Sequence, residues 1–554
     1  MTTSASSFCQ HGAVKDSYWH NPGKFPLRHT TIGRLIDQAA ARWPTRDAVI
    51  TLWSKRNRSK LKRESITFKE VKDKADKLAA GFINILRLRR GDRVAIWASN
   101  GIEWYLTQMA AAKAGLILVN VNPAFYENEL RYCLKKVSVR ALLVAEKHRS
   151  RSNLEIIEAV LPEMHSSMPG CLISETVPTL ESVVVIGEEK WKGSFQFDEL
   201  IEGVNNETVD EVRRLGKHIQ PDEGCNIQFT SGTTGEPKGT LLSHHNIINN
   251  VSSMARRIGL ENKHNKVCLQ VPLFHCFGCV VGTMLGLEIG ATMVMPSPNF
   301  DPSASIKAMR EERCNILYGT PTMYVDVLEQ YRKNGKEVLR SEDGWEGLDL
   351  AVSGGAPCSE HLIRQLMENL NVRRMCSIYG MTETSPISFQ TTPLDTMEQM
   401  LSTVGYVSEH VEVKVVDNKG EMVPMGTPGE LWVRGYCNML GYWGDEDRTN
   451  ETIGPDRWLR TGDQFMLMEN GYGKVVGRLK DMIIRGGENI FPKEIEEFLE
   501  SHQSIAEVQV FGIPDNRLGE IVCAWIRLRK GTKLTENEVK AFCKDKVSHH
   551  IWDT

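Results

Sequence analysis

Nowhere in the 554 residues do the roughly eighteen apolar residues needed for a membrane-spanning helix follow one another. The longest apolar stretches, such as CVVGTMLGL from Cys279, are short and broken by glycine. An excess of either charge is missing too: the formal net charge is -3 with 25% charged residues, which supplies no field suited to wrapping nucleic acid. The 13 cysteines are scattered and odd in number, which argues against a disulfide framework and for a reducing compartment. Cys276 and Cys279 make one C-x-x-C beside His275, but no second pair stands at metal-ligand spacing, so they read as free thiols rather than zinc ligands. The N-terminus MTTSASSFCQHGAVKDSYWHNPGKF lacks the apolar core of a secretion signal and the repeated arginines of a transit peptide, although its hydroxyl-rich, acid-poor start suits the latter. Internal repeats and low-complexity runs are absent as well.

What is present is enough apolar material, 41% of the chain, for two or more domains, since the length exceeds what one core covers. From Thr31, TIGRLIDQAAARWP predicts a helix that stops at a proline, and DAVITLW and SITF predict strands around a basic turn, SKRNRSKLKR. That turn reads as a solvated hairpin tip because strands flank it immediately. FKEVKDKADKLAAGFINIL predicts a long amphipathic helix. Strand and helix then alternate through DRVAIWASN, GLILVNVNP, ALLVAEK, SVVVIG, KVCLQVP and ATMVMP, the pattern of an α/β body with helix-covered parallel sheets. Around Gly405 the texture changes to short alternating strands, VEVKVVD, GELWVRG and GKVVGR, which predict a β-rich subdomain over about 403–479. From Lys480 a small α+β domain follows: a helix, KEIEEFLESH, with Ile495, Phe498 and Leu499 on one face, strands EVQVFGI and VCAWIRLR, and a short helix ENEVKAFCK. The expected division is an N-terminal extension or targeting segment 1–30, a large domain 31–479 and a small domain 480–554.

The stretch FTSGTTGEPKGT, Phe229 to Thr240, gathers hydroxyls, glycines and one lysine. It is not the phosphate loop G-x-x-x-x-G-K-[ST], because Pro237 stands where the second glycine must precede Lys238. Small residues still let several backbone N–H groups converge on an anion, while a solvated turn fits the composition equally. Four more polar, glycine-rich segments follow in order: SGGAP at Ser353, YGMTETSP at Tyr379, RTGDQ at Arg460 and GRLKDMIIRGGENIFP at Gly477. As an ordered set they are specific, and the chain resembles the adenylate-forming enzymes, which include acyl-CoA synthetases, from about Asn21 to about Ser548.

That resemblance implies a carboxylate joined to AMP with loss of pyrophosphate, then passed to a thiol. The loop Thr230, Ser231, Gly232, Thr233, Thr234, Gly235, Glu236, Pro237, Lys238 would hold the outer phosphates of ATP. Thr382 would touch the α-phosphate and Glu383 would hold Mg²⁺, which fits the need for a cation between a carboxylate and a triphosphate. Gly354, Gly355, Ala356, Tyr379 and Gly380 match the adenine slot, where an aromatic face stacks and Cβ-free backbone comes close. Asp463 matches the acid that accepts both ribose hydroxyls, and Arg478 the arginine that also reaches the ribose. His275 matches a position beside the carboxylate and acyl tunnel, with a satisfied buried histidine as the other reading; the run Phe277 to Gly282 suits a narrow apolar channel. Lys480 matches the hinge about which the small domain turns, bringing Arg485, Gly486, Gly487 and Asn489 alongside the pantetheine of coenzyme A. Local segments such as RGYCNMLGYWGD look most like the medium-chain group, and the insertion usual before the ribose aspartate of the long-chain branch is not seen. The expected partners are ATP, CoA and a medium-chain fatty acid, with no nucleic acid and no transmembrane segment. The alternatives are an adenylate-former for another acid, such as an aryl carboxylate, and a nucleotide-binding protein without turnover. By resemblance the location is the mitochondrial matrix; the alternative is cytoplasmic.

One departure stands out. The family continues past the equivalent of AFCKDKVSHH to a P-x-T-x-x-G-K segment whose lysine bridges substrate carboxylate and α-phosphate, whereas these residues run to IWDT. The expectation is a shortened small domain with looser packing. Adenylation is expected to be impaired on the order of 10²–10³-fold, as when one preorganised donor is lost.

Overall fold

The computed structural model describes residues 15–53, 61–230, 236–261, 263–333, 347–356, 358–485, 488–490, 492–515 and 519–543. Two large sheets dominate. In the first, strands run in the order 195–196, 182–186, 141–145, 93–97, 117–120, 224–230, 238–243, 441–442; the members up to 224–230 are parallel and the last two pairings antiparallel. In the second, a parallel centre of 375–380, 350–353, 316–319, 266–269, 292–295 and 47–53 is closed by antiparallel strands at both edges.

Strands such as Ala141–Ala145 and Ser182–Ile186 are buried along their whole length, because helices or chain cover both faces, and this is why they read as continuous Val/Leu/Ile runs rather than alternations. The helix Ile102–Ala114 shows the same logic in helical form. Every residue from Glu103 to Ala114 is buried, and the segment has no polar face. The amphipathic helix Phe68–Asn84 packs on it, and its first turn is fixed by a capping box between Thr67 and Glu70.

The β-rich subdomain is a five-stranded sheet, 18–21, 411–416, 429–435, 459–467, 473–478. Its first strand comes from the segment expected to be an N-terminal extension. Tyr18–Asn21 pairs antiparallel with Val411–Lys414, and Trp19 donates its indole N–H to Tyr406 at 2.7 Å. From residue 15 onward, therefore, that segment is part of the fold; four residues are too few to show a period. The small domain is a four-stranded sheet, 488–490, 483–485, 519–528, 505–515, against helices Pro492–Glu500 and Glu536–Cys543. Ile483, Ile495, Leu499, Val508 and Val510 form its core. The other face of its long hairpin leaves Phe511, Ile513 and Trp525 exposed, at 45%, 41% and 58%. Residues 54–60 of the basic turn and the residues after Cys543 lie outside the described residues, while 61–63 of that turn belong to the strand Leu61–Thr67.

Candidate active site

The motif segments of the large sheets leave the carboxyl ends of parallel strands, the edge at which open α/β sheets bind ligands. Gly354, Gly355 and Ala356 follow strand Leu350–Ser353, and its neighbour Met375–Gly380 carries Tyr379 and Gly380. Pro272 to His275 follow Lys266–Leu269, and Thr230 ends strand Gly224–Thr230 of the other sheet. Gly355 has a φ of +87° and faces open space, with Thr320 Cγ2 the nearest atom to a would-be Cβ at 3.7 Å. A side chain at Gly380 would put its Cβ 1.7 Å from the Pro386 carbonyl oxygen, so the turn into TETSP closes only over glycine.

Asp463 and Tyr379 are directly bonded. The phenol donates to Asp463 Oδ2 at 2.7 Å, and Arg478 Nε lies 3.5 Å from Oδ1. Asp463 stands in strand Leu459–Leu467, opposite Arg478 in the pairing register. The Tyr379 ring is wedged against Phe389 and Phe465, with centroids 6.1 and 5.4 Å away, so its position is fixed by packing before any nucleotide arrives. Burial pushes the Asp463 carboxyl above the ordinary range. Tyr379 and Arg478 pull it back, while Asp481 and Glu383 push it further up.

A second polar cluster is assembled from three distant segments. Thr230 Oγ1 donates to Glu383 Oε1 at 3.3 Å, and Tyr442 Oη donates to the same oxygen at 2.9 Å. Lys238 Nζ donates to Tyr442 Oη at 2.8 Å and lies 4.4 Å from the centre of its ring. Glu383 is 3% exposed. Desolvation lowers the Lys238 pKa; Glu383 and Asp445 oppose this, and the cations Arg448 and Lys480 add to it. Tyr132 Oη donates to the Pro237 carbonyl at 3.0 Å and so anchors the exit of the loop, while Glu236 is exposed. Ser231, Gly232, Thr233, Thr234, Gly235, Gly486 and Gly487 lie outside the described residues.

His275 and Thr382 are joined through Cys276. Its Sγ lies 3.6 Å from His275 Nδ1 and 3.8 Å from Thr382 Oγ1. The Phe277 N–H also donates to His275 Nδ1 at 3.2 Å, which fixes the ring's orientation. The run Phe277 to Gly282 is a π-helical turn, buried throughout, with Phe277 stacked on Tyr318. Lys480 sits exposed in a short turn, Leu479–Asp481, at the boundary of the small domain. Nothing in the sequence marked Tyr442 or Tyr132 as site residues, and Cys276 read only as a free thiol of the C-x-x-C. Tyr442 lay within a quoted segment, GYWGD, but nothing local marks a tyrosine as the partner of a glutamate 59 positions away.

The AMP-binding enzyme family profile matches residues 36–443, and the AMP-binding enzyme C-terminal domain profile matches 494–552. The chain belongs to the AMP-binding enzymes. Among relatives of this family, the medium-chain acyl-CoA ligase ACSF2, mitochondrial, of Danio rerio is 41% identical over 536 residues, covering 96% of this chain and 86% of the relative. The same-named Homo sapiens protein is 39% identical over 538 residues, covering 96% and 85%. In fold, the chain is similar to the anthranilate CoA ligase AuaEII in complex with anthranoyl-AMP, with a TM-score of 0.79 at 24% identity over 95% of this chain and 92% of that one.

Members of such a family bring Mg²⁺ with ATP, and the donor set here suits that. No group of three or more His, Cys, Asp or Glu gathers into a cage among the described residues. A single buried carboxylate, Glu383, stands beside Thr230, the arrangement expected of a hard ion held by one carboxylate plus substrate phosphates.

Proposed function

We propose that the protein is an ATP-dependent medium-chain fatty acid–CoA ligase. The carboxylate attacks the α-phosphorus of ATP to give acyl-AMP and pyrophosphate, and the thiol of CoA then attacks the acyl carbonyl to give acyl-CoA and AMP. The observation that carries this reading is the convergence of Thr230, Lys238 and Glu383 on one point of the site, together with Asp463 held by Tyr379 and Arg478. The first set meets phosphates, and the second presents a carboxylate to a vicinal diol. The ACSF2 relatives support the medium-chain acid, and their designation as mitochondrial supports a mitochondrial location, which the motif resemblance refines to the matrix.

In this scheme Lys238 leaves Tyr442 for the outer phosphates, while Thr382 donates toward the α-phosphate. Glu383 would hold Mg²⁺, which supplies screening of the negative charge that builds on the phosphates. His275 and the apolar turn behind it orient the carboxylate and its chain. Asp463 fixes the ribose and thereby the α-phosphorus.

The test is AMP formation with ATP, CoA and a panel of acids. Octanoate is expected to be used and benzoate not; benzoate used in preference would replace the medium-chain reading with the aryl one.

A further inference from the structure

Between Lys238 and Glu383 stands a phenol with no assigned role. A lysine ammonium only donates hydrogen bonds, so the bond from Lys238 Nζ uses the Tyr442 oxygen as acceptor, and the single phenolic hydrogen is left for Glu383 Oε1. The direction of the chain Lys238 to Tyr442 to Glu383 is thus fixed by chemistry. Tyr442 itself is held firmly. It is 5% exposed, pairs with Thr240 two residues beyond Lys238, and donates its backbone N–H to Thr449 Oγ1 at 2.9 Å.

We propose that Tyr442 is a positioning residue of the phosphate and metal site: its hydroxyl orients Glu383 through Oε1, leaves Oε2 for the cation that accompanies ATP, and keeps Lys238 from closing onto Glu383. This rests on the ligase reading above. Without the hydroxyl, the Lys238 cation and the buried Glu383 carboxylate, which already attract each other, have no neutral group between them, and a buried ion pair is hard to open once formed. With it, an arriving phosphate displaces only a hydrogen bond to a neutral acceptor.

The experiment is calorimetric titration of the whole chain with ATP, with and without Mg²⁺, comparing wild type and Tyr442→Phe. The substitution removes one oxygen and keeps the ring under Lys238. Mg²⁺ is expected to tighten ATP binding in the wild type, and that enhancement to fall on the order of 10-fold in the variant, as for loss of a hydrogen bond to a charged group, with metal-free ATP affinity lowered as well because Lys238 must first leave Glu383. An unchanged Mg²⁺ enhancement overturns the proposal, as does a variant that fails to fold, since that would make Tyr442 a structural residue. Glu383→Gln supplies the second arm: adding Tyr442→Phe to it is expected to change nothing further, and additive losses would contradict the proposed coupling. Absence of ATP binding to the wild type would overturn the ligase reading as well, so the two failures are told apart.

Discussion

Asp463 answers to two demands that pull in opposite directions. Binding a ribose needs an ionised carboxylate with two free acceptors, yet burial favours the protonated form. A carboxyl whose pKa is raised on folding contributes stability that is present at low pH and lost as pH rises through the raised value, so ionised Asp463 strains the fold at neutral pH. Asp463→Asn is therefore expected to raise the thermal midpoint at pH 8 while weakening nucleotide binding about 10- to 100-fold, the worth of charge-assisted hydrogen bonds. Melting curves and ATP titration of the same sample check both signs. At this scale the motif residues were legible in the sequence because each carries its chemistry in its type. Their partners were not: Tyr379 is 84 positions from Asp463, and Lys238 is 204 from Tyr442. No local pattern encodes contacts made by strand pairing across such separations.

Elements explain why those residue types work. The alternation of strand and helix announced parallel sheets, and motif residues follow the carboxyl ends of strands 224–230, 266–269, 350–353 and 375–380, while Asp463 and Arg478 come from the antiparallel five-stranded sheet. Gly380 marks how tightly those strand ends are built, since its neighbour across the turn is the backbone oxygen of Pro386. Gly380→Ala is expected to cost about 1–3 kcal/mol, the usual range for overpacking, and to weaken adenylate binding along with it. A thermal midpoint equal to wild type would show that the turn gives way freely. The strand Tyr18–Asn21 was missed because its pairing partner lies almost 400 positions on, as its contact Trp19 to Tyr406 at a separation of 387 shows. In the small domain, the hairpin's apolar residues read correctly as strand, but the pattern did not show that Phe511, Ile513 and Trp525 would share an exposed face.

The whole molecule turns on how the small domain meets the large one. Lys493 Nζ donates to the Val475 carbonyl at 2.8 Å, Arg527 lies 3.6 Å from Asp326, Arg529 lies 3.3 Å from His361, and Thr322 reaches Glu507 at 3.4 Å. A cavity of about 520 Å³ lies along this seam, lined by Ser359, Lys493 and Glu500; Glu383, Lys238 and His275 do not line it. Glu500 is pushed up to about 7 by burial first, with Ser359 opposing and Glu496, Glu497 and Glu507 adding to the rise. A raised carboxyl favours the closed seam when protonated. That contribution is full below the ordinary value near 4.5 and is lost as pH climbs to about 7. Limited proteolysis of the segment after Lys480 should accelerate over that window and level off above it. Glu500→Gln should flatten the curve, and a wild-type profile without slope would remove Glu500 from the seam's control.

The central claim is that this chain binds an acyl-adenylate, and calorimetric titration with octanoyl-sulfamoyladenosine, a non-reacting mimic of that intermediate, tests it without requiring turnover. The account predicts saturable one-to-one binding that ATP displaces and that Asp463→Ala abolishes. No binding by the folded wild-type chain, or binding indifferent to both ATP and Asp463, would contradict it.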